Sequence, residues 1–369
     1  MTEKLYDNAY LKEFDAEVLS CEEKNGKFAV VLSRTAFFPE GGGQAADLGV
    51  LGEAEVLDVQ ECDGVIVHTV SAPLAGCVHG VIDWETRFER MQNHTGEHLV
   101  SGIIHEKYGY NNVGFHMGAD CLTFDFDGPL SLEQAAEVEA LANRAVYENR
   151  AVTVSYPEHP EELEYRSKLD LSEGVRIVTV EGYDVCACCA PHVASTGEIG
   201  CIKILDVTPH KGGVRITMIC GKTAYNDYCG LHADVRKLMK LLSAPRDGVV
   251  EAVEKLLGEI SAAKGEISAL KADLAKSGLE VTQIGAWAVG FLPEAGFDAL
   301  RSIINGLSDG TALFALSGEY MVRGEGAGDL TRALNAAFSG KGGGKPNFTQ
   351  GKLVGEQDAI TKFFEEMNA

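Results

Sequence analysis

The spacing of apolar residues changes three times along this chain, dividing it into four candidate segments. Over residues 1–85, short β-rich runs such as Phe28-Ala29-Val30-Val31-Leu32 and Gly64 to Val70 are separated by glycine-rich turns, which predicts a small β-barrel or sandwich. Between 86 and 220 the period alternates between helix and strand. A helix is expected through His94 and His98, and Cys121 to Phe126 alternates as a strand. Ser131 followed by Gln134 predicts a capping box on a helix that ends near Arg150. Residues 221–279 predict a helical hairpin or coiled-coil arm. Leu231, Val235, Leu238 and Leu242 form one stripe, and Val249, Val253, Leu256, Ile260, Ala263, Ile267, Leu270 and Leu274 form a longer one at 4-3 spacing, with Pro245 and Gly248 between them. Such stripes can pair with each other or with a second copy, so a homodimer through the arm is one expectation. Residues 280–369 read as a small α/β domain closing in a glycine-rich loop and a terminal helix. The fold class expected is therefore α+β and multidomain.

Composition narrows this picture. With 369 residues and 45% hydrophobic content the chain is long enough for several cores. No apolar run approaches the roughly 20 residues of a membrane helix. The polar opening Met1 to Tyr6 predicts no secretory signal, and ten cysteines, several adjacent, point to a reducing, cytoplasmic setting. The formal charge of −23 argues against phosphate partners at first, but residues 321–352 set Arg323, Arg332, Lys341, Lys345 and Lys352 against only Glu325 and Asp329.

Two distant fragments carry the candidate chemistry. In His94-Thr95-Gly96-Glu97-His98 two histidines stand one helical turn apart, and Cys188-Cys189-Ala190-Pro191-His192 repeats the four-residue offset. His94, His98, Cys188 and His192 make a full ligand set for one zinc ion, preferred over iron on ligand softness. Packed side chains are the plainer reading of either fragment alone. His105, two turns further on, is too far along the helix to share the ion. Glu97, next to a ligand, is a candidate general base, and Thr95 a candidate reader of a substrate hydroxyl.

The terminal loop Gly340 to Lys352 joins bare backbone to Lys341, Lys345 and Lys352, the ring of Phe348 and the amide of Gln350. Pro346 follows Lys345 where a phosphate-binding Walker loop needs Ser or Thr. Backbone amides, lysines and one ring still suit phosphates and an unpaired base; a plain surface turn is the alternative.

Taken together, Phe37-Phe38-Pro39-Glu40-Gly41-Gly42-Gly43-Gln44 with Asp47 and Gly49, the two histidine and cysteine fragments, and the final Gly-Gly-Gly-Lys-Pro-x-x-x-Gln-Gly tract resemble the alanyl-tRNA editing proteins in their long form. These are free-standing relatives of the editing domain of alanyl-tRNA synthetase, and the resemblance runs from Lys4 to the last loop. It implies a hydrolase that deacylates alanine tRNA mischarged with serine or glycine, holding one zinc on His94, His98, Cys188 and His192. Gly41, Gly42, Gly43 and Gln44 would line the site, His116 would meet the terminal adenosine, and the last domain would resemble the synthetase's nucleic-acid-binding module. The family's Cys-Gly-Gly-Thr-His is replaced here by Cys188 to His192 with Cys189, Ala190 and Pro191 between, and Cys186 and Cys189 flank the ligand position.

A second sieve of this kind has a physical rationale, because one missing methyl group is worth only ~1–3 kcal/mol of discrimination. Four protein ligands would close the ion's shell, so zinc would either activate water or hold the substrate. Two rivals share the residues. His94-Thr95-Gly96-Glu97-His98 also fits an H-x-x-E-H metallopeptidase with Glu97 as base, which needs a carboxylate as third ligand. A closed zinc site with a basic loop also fits a non-catalytic tRNA-binding protein.

Overall fold

The computed structural model describes residues 2–167, 174–277, 279–293 and 295–368. The chain separates into two compact units, Met1–Asp234 and Val235–Ala369.

The first unit opens with β1 (Glu3–Lys4), β2 (Glu13–Lys24), β3 (Lys27–Leu32), β4 (Arg34–Thr35), β5 (Gly49–Leu51), β6 (Ala54–Cys62), β7 (Val65–Val70) and β8 (Cys77–Ile82). β1 and β4 form a short parallel pair, and the other six close an antiparallel barrel in the order β2-β3-β7-β6-β5-β8, so of the two architectures expected it is the barrel. The alternation in β7 turns Ile66, His68 and Val70 inward, where they meet Val30, Leu32, Leu51 and Val59. Asn25-Gly26 and Asp63-Gly64 turn two of the hairpins with both φ angles positive, the geometry whose twist matches the flanking strands.

Next comes α1 (Trp84–Tyr108), started by Asp83, whose carboxylate accepts from Thr86 N, and stopped by Gly109 in the left-handed region. Every residue from Met91 to Ile104 is buried, which is unusual for so polar a stretch and identifies α1 as the axis of this unit. It is followed by β9 (Asn112–Met117), β10 (Leu122–Phe126), α2 (Leu132–Glu148), β11 (Val152–Ser155), β12 (Ile177–Val180), β13 (Asp184–Ala187), β14 (Ile202–His210) and β15 (Gly213–Cys220). Two antiparallel sheets result, β14-β15-β10-β9 and β11-β12-β13. Leu99, Val100, Ile103 and Ile104 of α1 join Phe124, Val138, Ala142 and Ile216 in one core, and the barrel forms another; Cys188 borders both. The expected capping box is present on α2, with Ser131 Oγ accepting from Gln134 N and Gln134 Oε1 from Ser131 N.

α3 (Gly221–Leu242) carries the division between the units. In the second, α4 (Val249–Ser277), β16 (Val281–Ile284), β17 (Trp287–Leu292), α5 (Phe297–Ile304), β18 (Thr311–Ala315), β19 (Glu319–Arg323), α6 (Ala327–Ala337), β20 (Lys341–Lys345), β21 (Phe348–Lys352) and α7 (Gln357–Met367) follow. Its sheet runs β16-β17-β18-β19-β21-β20, with β17 and β18 the parallel pair. α6 and α7 bring Leu330, Leu334, Ile360 and Phe364 to one cluster, and α5 brings Leu300, Ile303 and Ile304 to another. The glycine-rich tract expected as a loop is a hairpin. Its amides pair Lys341 with Lys352 and Lys345 with Phe348, so β20 is an edge strand turned at Pro346 and Asn347. Of the stripe on α4, Leu256, Ile260, Ile267, Leu270 and Leu274 are exposed. Among the described residues no helix is long and apolar enough to cross a membrane.

Candidate metal centre

His94 and His98, one turn apart on α1, meet Cys188 and His192 from the irregular chain after β13, and the four ligand atoms lie within 4.8 Å of one another. The three imidazole centroids are 5.4, 4.8 and 4.6 Å apart in the pairs His94–His98, His94–His192 and His98–His192. Cys188 Sγ is 3.6 Å from His94 Nε2 and 3.3 Å from His192 Nε2. Pro191 leaves this stretch non-helical, so the cysteine and histidine converge through a bend rather than through a helical turn.

Each ring is held from behind at Nδ1. His94 Nδ1 is 2.8 Å from Gln44 Oε1, His98 Nδ1 is 3.1 Å from Asp184 Oδ2, and His192 Nδ1 is 3.0 Å from Thr95 Oγ1. Thr95 spends its own proton on Met91 O at 2.8 Å, so its oxygen accepts, from His192 and from Val193 N. All three outer partners are acceptors. They fix the proton on Nδ1 and leave the Nε2 lone pair for the centre, the tautomer a metal ligand requires.

Electrostatics agree with the geometry. Burial opposes a charge on Cys188, yet His94 and His192 hold its thiol well below its ordinary value. Burial pushes His192 down to about 3. His98 goes the other way: burial is outweighed by Cys186, Asp184 and Cys188, and the ring is raised. A thiolate among imidazoles is a donor set suited to a soft divalent ion, whose binding would displace the proton His98 holds.

Cys188 rather than its neighbours occupies the centre. Cys189 is exposed and lies against the Gly41–Gly42 turn, while Cys186 groups with His98 and Asp184 on the outer side. There Arg166 already supplies a cation, its Nε 2.7 Å from Asp184 Oδ1 and its Nη2 2.8 Å from Oδ2. Asp184 and Arg166 escape a reading of motifs. Asp184 does have a signal, because Asp184 and Cys186 share one face of β13 and Cys188 follows two residues further on, just past the strand. Arg166 has none, since backbone bonds from its N to Val185 O and from Ala187 N to its O stitch it beside β13 from an irregular segment.

The other expected site residues distribute unevenly. Gln44 is fully buried; its Oε1 serves His94, and its Nε2 has no partner among the described residues. The turn before it is bridged between Gly41 and Gln44, and at Gly43 a Cβ would come within 2.6 Å of the Phe115 ring, so only glycine permits this approach. Phe115 in turn lies 4.9 Å from the His94 ring. His116, next along β9 and expected to meet the terminal adenosine, is exposed and alternates to the face opposite Phe115. Thr95, the expected substrate reader, has its hydroxyl bonded to Met91 O, His192 Nδ1 and Val193 N. Glu97 is buried beside the centre, with Oε1 receiving Ser101 Oγ and Asn112 Nδ2.

In the second unit Lys341 and Lys345 are exposed on β20. Lys352 is paired with Glu319, Gln350 accepts from Arg301 at 2.6 Å, and Phe348 is partly buried against the core, so these three are engaged rather than presented. A cleft of about 390 Å³ lies between the start of α6 and the hairpin, bordered by Gly326, Asp329, Arg332, Gly343, Lys345 and Asn347.

Comparison with known proteins gives these features a context. Residues 2–86 match the family model for tRNA synthetases class II (A), and residues 175–217 match the threonyl and alanyl tRNA synthetase second additional domain. The chain is 32% identical to the alanine–tRNA ligase of Pyrococcus furiosus over 94% of its own length and 41% of the ligase. It is 36% identical to that of Halobacterium salinarum over 88% of its length and 38% of the ligase. It thus spans about two-fifths of the ligases it matches. With the alanyl-tRNA editing protein AlaX-L of Pyrococcus horikoshii it shares 26% identity over 98% of this chain and 96% of the relative. The motif-level likeness therefore extends along the whole chain, which is related to the alanyl-tRNA editing protein AlaX-L and to a part of the alanine–tRNA ligases.

Proposed function

We propose that this protein is a trans-editing hydrolase that cleaves the aminoacyl ester of alanine tRNA mischarged with serine or glycine, at a zinc ion held by His94, His98, Cys188 and His192. The convergence of those four side chains, each imidazole oriented by its own outer acceptor, carries the reading. Zinc in this position supplies Lewis acidity, polarising an ester carbonyl or acidifying water. The remaining work falls to the protein. Gln44 Nε2, the unpartnered buried donor beside His94, donates to the ester carbonyl oxygen. Glu97, its Oε1 fixed by Ser101 and Asn112, takes the proton of the attacking water and delivers it to the departing ribose oxygen as the ester C–O bond breaks. Phe115 and the Gly41 to Gln44 turn keep bulk water from the reacting ester.

Lys341 and Lys345 bind the tRNA backbone. The exposed apolar stripe on α4 supports pairing of two copies through the arm. Ten free thiols, Cys188 among them, suit the cytoplasm. The peptidase reading loses support because the places beside His94 and His98 are filled by Cys188 and His192, so the group of four holds no carboxylate to serve as third ligand. A non-catalytic tRNA-binding module keeps one supporting observation, the closed set of four ligands. Incubating the purified protein with Ser-tRNA(Ala), Gly-tRNA(Ala) and Ala-tRNA(Ala) separates the two. Deacylation of a mischarged species with Ala-tRNA(Ala) spared is expected; binding without turnover of any of them leaves only the module.

A further inference from the structure

The three imidazoles are backed by groups of different charge. Gln44 and Thr95 are neutral, and Asp184 alone is a carboxylate, almost wholly buried, whose Oδ2 receives both His98 Nδ1 and Arg166 Nη2. We infer that Arg166 and Asp184 form a positioning pair that acts through His98 and sets how tightly the centre holds its metal. This rests on the reading of His94, His98, Cys188 and His192 as that centre.

A carboxylate accepting the Nδ1 proton draws the ring toward imidazolate and strengthens Nε2 as a donor, while a neutral acceptor merely orients it. Asp184 alone would be free to rotate toward a cation itself, since His98, Asp184 and Cys186 also offer ligand atoms within 4.8 Å of one another. Arg166 prevents this. Its two parallel bonds, at 2.7 and 2.8 Å, fix the carboxylate plane, and its backbone is bonded on both sides to the β13 segment. The guanidinium therefore keeps Asp184 as an outer partner and leaves a single metal position.

The full chain tests this with two variants, Asp184→Asn and the double variant Asp184→Asn with Arg166→Gln. The double variant removes both charges, so that no buried guanidinium is stranded if the single variant folds poorly. Zinc affinity is read by competition with a chromophoric chelator, and ligand geometry by the absorption of the cobalt-substituted protein. Both variants are expected to bind zinc about 10–100-fold more weakly than wild type. The sulfur-to-cobalt charge-transfer band should persist, because Cys188 remains, while the ligand-field bands shift. A folded variant with wild-type affinity and unchanged ligand-field bands overturns the inference and leaves the metal centre intact. A wild-type protein that takes up neither ion overturns the centre and this inference with it.

Discussion

At the scale of single residues, the same side chain does different work according to what stands behind it. His94, His98 and His192 face a common sulfur, but His68 of the barrel faces apolar strands, with Thr35 Oγ1 at 2.8 Å and Val30 O at 3.2 Å as its neighbours. Burial pushes His68 from its ordinary 6.5 down to about 4. The unfolded chain therefore binds the proton more readily than the folded one between these values. The stability that depends on neutral His68 is complete above about pH 6.5 and is lost as pH falls toward 4, on the order of 3 kcal/mol in all. Urea unfolding of wild type and His68→Gln at a series of pH values checks this: the variant should lack that part of the acid dependence. Two curves that stay parallel from pH 7 to 4 would assign the acid sensitivity elsewhere.

At the scale of elements, the metal-bearing helix and the barrel turn are joined by a buried ion pair. Arg87 of α1, fully buried, holds Asp47 through two bonds and also donates to Ala9 O and Ala36 O. Asp47 Oδ2 accepts from Phe38 N at 2.6 Å, so one carboxylate closes the turn that carries Gln44 and ties it to the helix that carries His94. Arg87→Met should destabilise the protein by about 3–5 kcal/mol, because it leaves Asp47 charged and unpaired. The double change Arg87→Met with Asp47→Asn should restore a large share of that loss. Denaturant midpoints for the two variants measure it, and equal midpoints would show that the pair has no such coupling.

At the scale of the whole molecule, a chain with formal charge −23 is proposed to hold a polyanion, so a local basic face has to overcome the general repulsion. Lys341 and Lys345 project from β20 without a carboxylate partner among the described residues, whereas Lys352 is answered by Glu319. Lys341→Gln with Lys345→Gln should weaken tRNA binding and make its dependence on log salt shallower by about 2, one phosphate contact per lysine, with zinc content unchanged. Filter binding at several salt concentrations measures both. An unaltered slope would remove this hairpin from the RNA surface.

Local rules sufficed wherever a residue's neighbours in the chain decide its state. The period-2 runs, the Asn-Gly and Asp-Gly turns, the Ser131–Gln134 box and the one-turn offset of His94 and His98 are all legible in order of sequence, because backbone sterics and short-range hydrogen bonds act within a few residues. The glycine tract 340–345 was not legible as a strand, since its amides are satisfied by Phe348 to Lys352 and bare backbone fits a loop equally well. Nor were the roles of Thr95 and Asp184, or the presence of Arg166. Which oxygen a hydroxyl or carboxylate serves depends on atoms brought from 97, 86 and 18 residues away, and no local pattern specifies those meetings. Sequence alone determined the elements outside that hairpin and the chemical types available at the centre. Tertiary structure decided their orientation, because hydrogen-bond direction and burial are properties of a packed neighbourhood rather than of a chain.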